Sequence, residues 1–183
     1  MGTVKEDFSA AEDEWFDVVD ALDRPIDRAT RAEAHRQGFF HRAVHVFVLD
    51  RDDLMVVQRR SLNKDTAPGL WCSSCSGHLD AGEDYAPAAV RELKEEIGLE
   101  VFPEKLCQIL MVNPCPQTGW EFTSVYYLKA DGPFTFAPDE VTELRQLPFE
   151  ELDGWLADRP EEFSQSFRHL YRLARLRLPF ITS

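Results

Sequence analysis

No run of apolar residues approaches the roughly 18 that a membrane-spanning helix requires. The acidic N-terminal stretch also lacks the hydrophobic region of a secretory signal. We therefore predict a cytoplasmic protein without a membrane segment.

Positive charge is scarce as well, because 20 Lys and Arg residues stand against 33 Asp and Glu residues, for a formal net charge of −13. This balance argues against nucleic acid as a partner, since phosphate backbones are bound by basic patches.

Cysteine is also sparse, with four residues in a chain of 183, which is too few for a disulfide scaffold. Cys72 and Cys75 lie in the segment WCSSC, whose spacing is shared by thiol–disulfide enzymes and zinc half-sites. A redox pair opens a helix, but this pair runs into the turn-rich segment SGHLDAGED. Cys107 and Cys115 do not supply the second pair of a zinc site. We therefore expect small buried cysteines in a loop that precedes a helix.

Apolar periodicity predicts strands, one central helix, further strands and two late helices. Gly98 provides the stop of the central helix, and Thr30 and Gly38 mark the ends of a shorter one. The order of elements favours an α/β or α+β sandwich with a mixed sheet. The predicted strands lie within 14–27 (two), 43–50, 54–61, 99–113 and 120–133, the loop is 62–85, and the helices are 28–38, 85–98, 148–158 and 160–176.

Three glutamates flank the apolar stripe of the central helix. At about 100° per residue, Glu92 and Glu96 lie one turn apart on one side, with Glu95 beside them. Carboxylates this close repel one another, which makes physical sense if a hard divalent cation lies among them. A solvated acidic helix face is the alternative, and it is common in a chain of this charge.

The spacing around these glutamates is specific. Gly77 is followed by five residues and Glu83, then by seven residues and the segment RELKEEIGL, which runs from Arg91 to Leu99. This pattern resembles the signature of the Nudix family, and each specified position is matched. The resemblance implies a Nudix-type α/β/α sandwich with a mixed β-sheet and a loop–helix–loop that holds Mg²⁺ or Mn²⁺. It also implies hydrolysis of a diphosphate linked to an organic group.

The resemblance assigns roles to individual residues as well. The implied catalytic carboxylates are Glu92, Glu95 and Glu121, with Glu95 and Glu121 as the candidates for general base. Orienting or structural roles in the motif are implied for Glu83, Arg91 and Gly98. The implied metal ligands are Glu92, Glu95, Glu96 and the carbonyl group of Gly77.

A wider resemblance covers roughly residues 14–130. The segment HRA at 41–43, Arg60 with Ser61, Lys64, Trp71 and the Gly-His pair at 77–78 are similar to one branch of the Nudix superfamily. That branch contains isopentenyl-diphosphate isomerase and its hydrolase-like relatives. The resemblance implies substrate-binding roles for Arg60, Lys64, His41, His78 and Ser76.

The chain departs from the isomerase pattern at several places: it has Leu79 where the isomerase has proline, it keeps the complete glutamate pattern, and it lacks two functional groups. The catalytic cysteine of the isomerase corresponds to Ser76, and a hydroxyl cannot perform a thiol's proton chemistry because its pKa is far higher. A second acidic ligand of the isomerase's histidine–glutamate metal site would fall near Gly119, which has no side chain. The other ligands of that site map in part onto His41, His78 and Glu121, with His35 as a further candidate.

We therefore predict a Mg²⁺-dependent Nudix hydrolase, with Mn²⁺ as the alternative cation, that cleaves the diphosphate linkage of a nucleoside diphosphate or a related compound. The predicted partner is this small molecule, and a homodimer through the apolar C-terminal stretch is left open. An N-terminal extension of short strands and a helix (1–37) would precede the Nudix hydrolase domain (38–183). Two alternatives remain: an isomerase-like enzyme, and a non-catalytic nucleotide sensor, which would typically have lost part of the glutamate set.

Overall fold

A computed structural model describes residues 14–178 of the chain. The strands are β1 (Trp15–Val19), β2 (Pro25–Thr30), β3 (His41–Leu49), β4 (Met55–Arg60), β5 (Trp71–Cys72), β6 (Cys75–His78), β7 (Cys107–Val112), β8 (Glu121–Lys129) and β9 (Val141–Leu147). The α-helices are α1 (Arg31–Gln37), α2 (Tyr85–Ile97), α3 (Phe149–Asp158) and α4 (Gln165–Arg175).

Within the described residues, seven strands form one mixed sheet around β3. The main path runs β5-β4-β3-β8-β7, while β6 pairs with β3 and β9 pairs with β4. β3 and β8 are parallel over their whole length, from His41 opposite Glu121 to Leu49 opposite Lys129. The other pairs are antiparallel, so the mixed sheet that the order of elements predicted is confirmed. β1 and β2 form a separate hairpin.

Side-chain alternation along β3 divides the core into two layers. Val44, Val46 and Val48 pack with the apolar face of α2. Phe47 and Leu49 pack on the other face with residues of α3 and α4. A strand covered on both faces reads as a continuous apolar run, as β3 does. The predicted α/β/α sandwich is therefore confirmed.

The predicted ends of the two earlier helices are confirmed. Gly98 follows α2 with a φ of +68°, and the N–H of Leu99 returns to the carbonyl of Leu93 at 3.0 Å. That left-handed conformation is one that glycine adopts without strain. At α1, Thr30 and Glu33 form a capping box, and Gly38 ends the helix with a φ of +67°.

Two parts of the secondary structure differ from the prediction. The predicted loop 62–85 contains β5 and β6, and β9 was not predicted at all. The β6 residues include no aliphatic or aromatic hydrocarbon side chain, so they show no apolar alternation, and their strand form comes from pairing with β3. Only Val141 and Leu147 of β9 are buried, because it is an edge strand whose partner is β4.

The N-terminal hairpin and α1 pack against the beginning of β3. The N–H of Val19 donates to the carbonyl of Phe40 at 2.8 Å, and the N–H of Ala81 donates to the carbonyl of Trp15 at 2.7 Å. Phe16 is buried, 2% exposed, in a small cluster with Ala34 of α1. From residue 14 onwards, the predicted extension therefore shares an interface with the sheet, and the boundary at residue 37 stays a prediction.

One face of the C-terminal helix packs internally, while Leu173 is exposed. Leu170, Tyr171, Ala174 and Leu178 are buried in the layer on the α3–α4 face of the sheet. Residues 179–183, the remainder of the stretch considered for dimer contacts, lie outside the described residues. No helix within residues 14–178 has both the length and the apolar composition to cross a membrane.

Candidate active site

The predicted metal-binding glutamates lie where α2 passes beneath β6. Glu96 is buried, Glu92 is half-buried and Glu95 is exposed. A Cβ atom at Gly77 would overlap the carboxylate of Glu92. Only glycine therefore allows this strand to lie so close to the helix, and the pattern's glycine and glutamates are brought together.

Hydrogen bonds fix the most deeply buried of these carboxylates. Glu96 Oε2 accepts from Gln58 Nε2 at 2.7 Å and from the backbone N–H of Ser76 at 2.9 Å. Burial raises the pKa of Glu96. Burial and the charge of Glu96 together raise the pKa of Glu92 to about 8, despite the adjacent Arg91. The pair is therefore electrostatically strained when ionised, and a cation beside it would relieve that strain.

Arg91 joins the loop after β6 to the glutamates of α2. Its guanidinium donates to Glu83 at 2.8 and 3.2 Å, to Glu92 at 2.6 Å and to Glu95 at 3.2 Å. It also donates to the carbonyl of His78 at 2.9 Å. Burial alone would lower the pKa of Arg91, but these carboxylates raise it above its usual value. This geometry is what an orienting role for Arg91 and Glu83 requires.

A second cluster lies at the start of β3 and β8. Ligand atoms of four side chains all lie within 4.8 Å of one another. Glu121 Oε1 is 3.0 Å from His78 Nε2 and 3.5 Å from His41 Nε2. The four residues are His35, His41, His78 and Glu121, which are those that the isomerase resemblance mapped.

The protonation of His41 is set by its backbone partner. Its Nδ1 lies 2.8 Å from the carbonyl of Phe39, so the neutral ring carries its proton there. Its Nε2 is buried and has no hydrogen-bond partner among residues 14–178. A bare nitrogen lone pair therefore points towards the carboxylate of Glu121, an arrangement that a cation between them would stabilise.

The pKa values of three residues in this cluster are shifted. Partial burial and the neighbouring imidazoles lower the pKa of His35 to about 4. Burial also lowers the pKa of His78. Although burial opposes its ionisation, the adjacent His78 and His41 lower the pKa of Glu121. Neutral imidazoles and ionised carboxylates are the forms in which such side chains bind metals, so metal binding at this cluster would be coupled to proton release.

One cavity of about 380 Å³ connects the two clusters. Glu92, Glu95, Glu96 and Gly77 line it from α2 and β6, and His78 and Glu121 line it from the second cluster. Its basic lining residues are Arg31, Arg60, Lys64 and Arg91. The cavity therefore offers carboxylates for a cation and basic groups for an anion.

Four of the five predicted substrate-binding residues line this cavity. Arg60, Lys64, His78 and Ser76 line the cavity, whereas His41 does not. Lys64 is paired with Glu140, and Arg60 donates to the carbonyl of Thr66 at 3.0 Å. 

Sequence reasoning missed Arg31, a cavity residue held between Glu14 at 2.9 Å and Asp65 at 2.8 Å. It is the first residue of α1, a position to which no motif pointed.

The two cysteines of WCSSC have different surroundings. Cys75 packs in the core beneath α2, as expected. Cys72 is also buried, but it lines the cavity, and its Sγ is 3.6 Å from Ser76 Oγ. Burial opposes ionisation of the Cys72 thiol, yet the hydrogen bond from His45 and the charge of Arg60 lower its pKa to about 6. Cys72 is therefore a polar component of the cavity wall.

Fold and site together define an enzyme of the Nudix hydrolase class. The chain belongs to the NUDIX family, whose domain profile matches residues 39–170. It is similar to isopentenyl-diphosphate Delta-isomerase of Burkholderia multivorans, with 32% identity over 169 residues that cover 87% of this chain and 92% of the relative. It is also 33% identical over 158 residues to an uncharacterised Nudix hydrolase of Clostridium acetobutylicum, covering 81% of this chain and 76% of the relative.

A solved structure also matches the fold of this chain. The crystal structure of DR0079 from Deinococcus radiodurans matches with a TM-score of 0.72 and 25% identity, covering 87% of this chain and 98% of that one. The predicted membership in the isomerase-like branch of the Nudix superfamily is confirmed by these relatives.

Proposed function

We propose that this Nudix hydrolase cleaves the diphosphate linkage of a nucleoside diphosphate or a related compound, with Mg²⁺ as its cation and Mn²⁺ as the alternative. One observation carries the proposal: Glu92, Glu95 and Glu96 line the same cavity as the basic Arg60 and Lys64. A diphosphate complements both groups, because its charge suits the basic residues and its oxygens suit a carboxylate-bound cation.

The residues fit a divalent cation. Burial raises the pKa values of Glu92 and Glu96, and the neighbouring charges of Arg91 and Arg60 offset this only in part. Oxygen donors of this kind are those that Mg²⁺ prefers. When bound, the cation supplies charge that neutralises the diphosphate and makes a bound water more acidic.

The protein's own residues position the glutamates and accept the proton from water. Gln58 and the backbone of Ser76 hold Glu96 in place, and Arg91 holds Glu92 and Glu95. Glu95, exposed to the cavity, is the best placed of the three to accept a proton from water. Glu121 remains the second candidate for general base.

The basic groups bind the phosphate oxygens. Arg60 has no carboxylate partner among the described residues and lines the cavity. Lys64 would exchange Glu140 for a phosphate, since the phosphate carries the greater charge. Charge at this position orients the diphosphate with respect to the glutamates.

An isomerase-like reaction is the second candidate. It is favoured by the assembled cluster of His35, His41, His78 and Glu121. It is disfavoured by Ser76, which replaces the catalytic thiol. It is also disfavoured by Gly119, where a Cβ atom would lie 3.6 Å from Glu121 Oε1, so the vacant acidic position is adjacent to the cluster.

The test is a product assay with and without Mg²⁺. Nucleoside diphosphates, nucleotide sugars and isopentenyl diphosphate are incubated with the wild type, with Glu96→Gln and with Glu100→Gln. Glu100 is an exposed control that pairs with Lys94 at 2.8 Å, away from the cavity. We expect Mg²⁺-dependent phosphate or monophosphate release that falls by about 100-fold or more in Glu96→Gln and is unchanged in Glu100→Gln.

The other outcomes identify the alternatives. Conversion of isopentenyl to dimethylallyl diphosphate without hydrolysis would establish the isomerase. Nucleotide binding without either reaction would establish the sensor.

A further inference from the structure

One wall of the cavity consists of small hydrogen-bonding side chains. His45, Cys72, Ser76, Ser164 and Ser166 all line the cavity, and we call them the hydroxyl wall. They come from β3, from the neighbouring strands β5 and β6, and from the start of α4 much later in the sequence. Neither the metal-binding motif nor the basic residues account for them.

Short contacts join the members of the hydroxyl wall. Ser166 Oγ is 3.3 Å from Ser164 Oγ, which is 3.6 Å from Cys72 Sγ. Cys72 Sγ is in turn 3.6 Å from Ser76 Oγ. Each hydroxyl both donates and accepts, so a ligand group with the same dual capacity can join this chain of contacts.

His45 adds a defined acceptor to the wall. Ser73 Oγ donates to the carbonyl of Cys75 at 3.1 Å, so its contact with His45 Nδ1 at 2.8 Å is one in which the imidazole donates. The neutral His45 ring therefore carries its proton on Nδ1. Its Nε2 then keeps a lone pair that can accept a hydrogen bond.

The wall is a poor surface for a hydrocarbon. Phe16, Ala43 and Ala67 are the only aliphatic or aromatic hydrocarbon side chains among the described lining residues, and the Phe16 ring stacks on His41 at 5.3 Å. A hydrocarbon against the wall would remove water from the half-buried hydroxyls of Ser76 and Ser166 without replacing its hydrogen bonds. A hydroxylated group would replace them.

We propose that the hydroxyl wall is the specificity-determining subsite for the organic group, and that it selects a polyol or sugar over a hydrocarbon. This inference rests on the proposed function, because it assumes that the diphosphate of the same molecule lies among the glutamates and basic residues. Ser166, which is half-buried at the start of α4, is the member whose replacement disturbs the core least.

The test compares three diphosphates and two variants. UDP-glucose carries sugar hydroxyls, isopentenyl diphosphate carries a hydrocarbon, and methyl diphosphate, with a single methyl group, is the small reference. Ser166→Leu places a hydrocarbon in the wall, and Gln165→Leu makes the same side chain at the adjacent, exposed helix position. Hydrolysis rates and calorimetric dissociation constants are measured for each combination.

We expect Ser166→Leu to lower kcat/KM for UDP-glucose by about tenfold or more, mainly through KM, and to leave methyl diphosphate within about twofold. Gln165→Leu should match the wild type on each substrate. An unchanged UDP-glucose reaction in Ser166→Leu would overturn the inference, as would a higher kcat/KM for isopentenyl diphosphate than for UDP-glucose in the wild type.

Failure of the proposed function gives a different result, namely no hydrolysis of any diphosphate, methyl diphosphate included. In that event the dissociation constants decide. Tighter binding of UDP-glucose than of isopentenyl diphosphate, lost in Ser166→Leu, would support the proposed specificity of the hydroxyl wall. Equal binding of the two would refute it.

Discussion

At the residue scale, environment separates three glutamates that the sequence motif treats alike. Glu96 is buried and accepts two hydrogen bonds, Glu92 lies against Gly77, and Glu95 is exposed. Helical spacing predicted that they lie together. It did not predict their burial, because Gln58, the partner of Glu96, belongs to β4 and follows no motif.

A pH dependence follows from the raised pKa of Glu92, about 8 against an ordinary 4.5. Between these values the folded protein without metal binds more protons than the unfolded chain, so its stability falls as pH rises through this window. We expect Glu92→Gln to be as stable as the wild type near pH 5 and more stable near pH 8 in chelator. Differential scanning fluorimetry checks this.

Adding Mg²⁺ should reverse the order at the higher pH, because the cation balances the ionised glutamates of the wild type. Comparing the two proteins cancels the titration of His35 and the other shifted groups. If the difference in stability between the wild type and Glu92→Gln did not change with pH, electrostatic strain between ionised Glu92 and Glu96 would be contradicted.

The cluster of His35, His41, His78 and Glu121 was likewise only partly predictable from the sequence. Its members were mapped from a resemblance, and the structure assembles them. The Phe39 carbonyl that fixes the proton on Nδ1 is a backbone group, which no residue pattern reveals.

At the element scale, the site depends on how closely α2 approaches β6. Gly77→Ala would force the new methyl group into the carboxylate of Glu92. We expect kcat to fall by about 100-fold, because small displacements of catalytic groups have effects of this size. Steady-state kinetics measures the change.

Gly154→Ala is the matched control, because nothing lies within 4 Å of a Cβ at that position in α3. It should keep full activity and gain about 0.5–1 kcal/mol in the free energy of unfolding, as expected for alanine in a helix interior. Full activity in Gly77→Ala would show that this close approach is not required.

Long periodic elements were predictable, and short paired strands were not. α2 and β3 carry apolar patterns strong enough to define them. β5, β6 and β9 exist because β4 and β3 pair with them, and that information lies far away in the chain. The strand form of β5 and β6 at the cavity was therefore not predictable, although Ser76, Gly77 and His78 of β6 were predicted as site residues.

At the scale of the whole molecule, the N-terminal hairpin covers the histidine cluster. The Phe16 ring lies 5.3 Å from that of His41 and 4.7 Å from that of His78. We expect Phe16→Ala to lower the free energy of unfolding by about 3 kcal/mol, the usual cost of losing a buried phenyl group. Urea denaturation measures it.

Leu22→Ala, in the turn of the same hairpin and 71% exposed, should change that free energy by less than about 0.5 kcal/mol. Equal, small effects of both substitutions would mean that the hairpin is an appendage and not part of the cooperative core.

The central claim is that water cleaves a phosphorus–oxygen bond at the glutamates of α2. The most direct test runs the reaction in water enriched in the heavy oxygen isotope and weighs the products by mass spectrometry. We predict one heavy oxygen in one of the two phosphate-bearing products, dependent on Mg²⁺ and lost in Glu96→Gln. Turnover that rearranges the organic group without incorporating heavy oxygen would contradict the account.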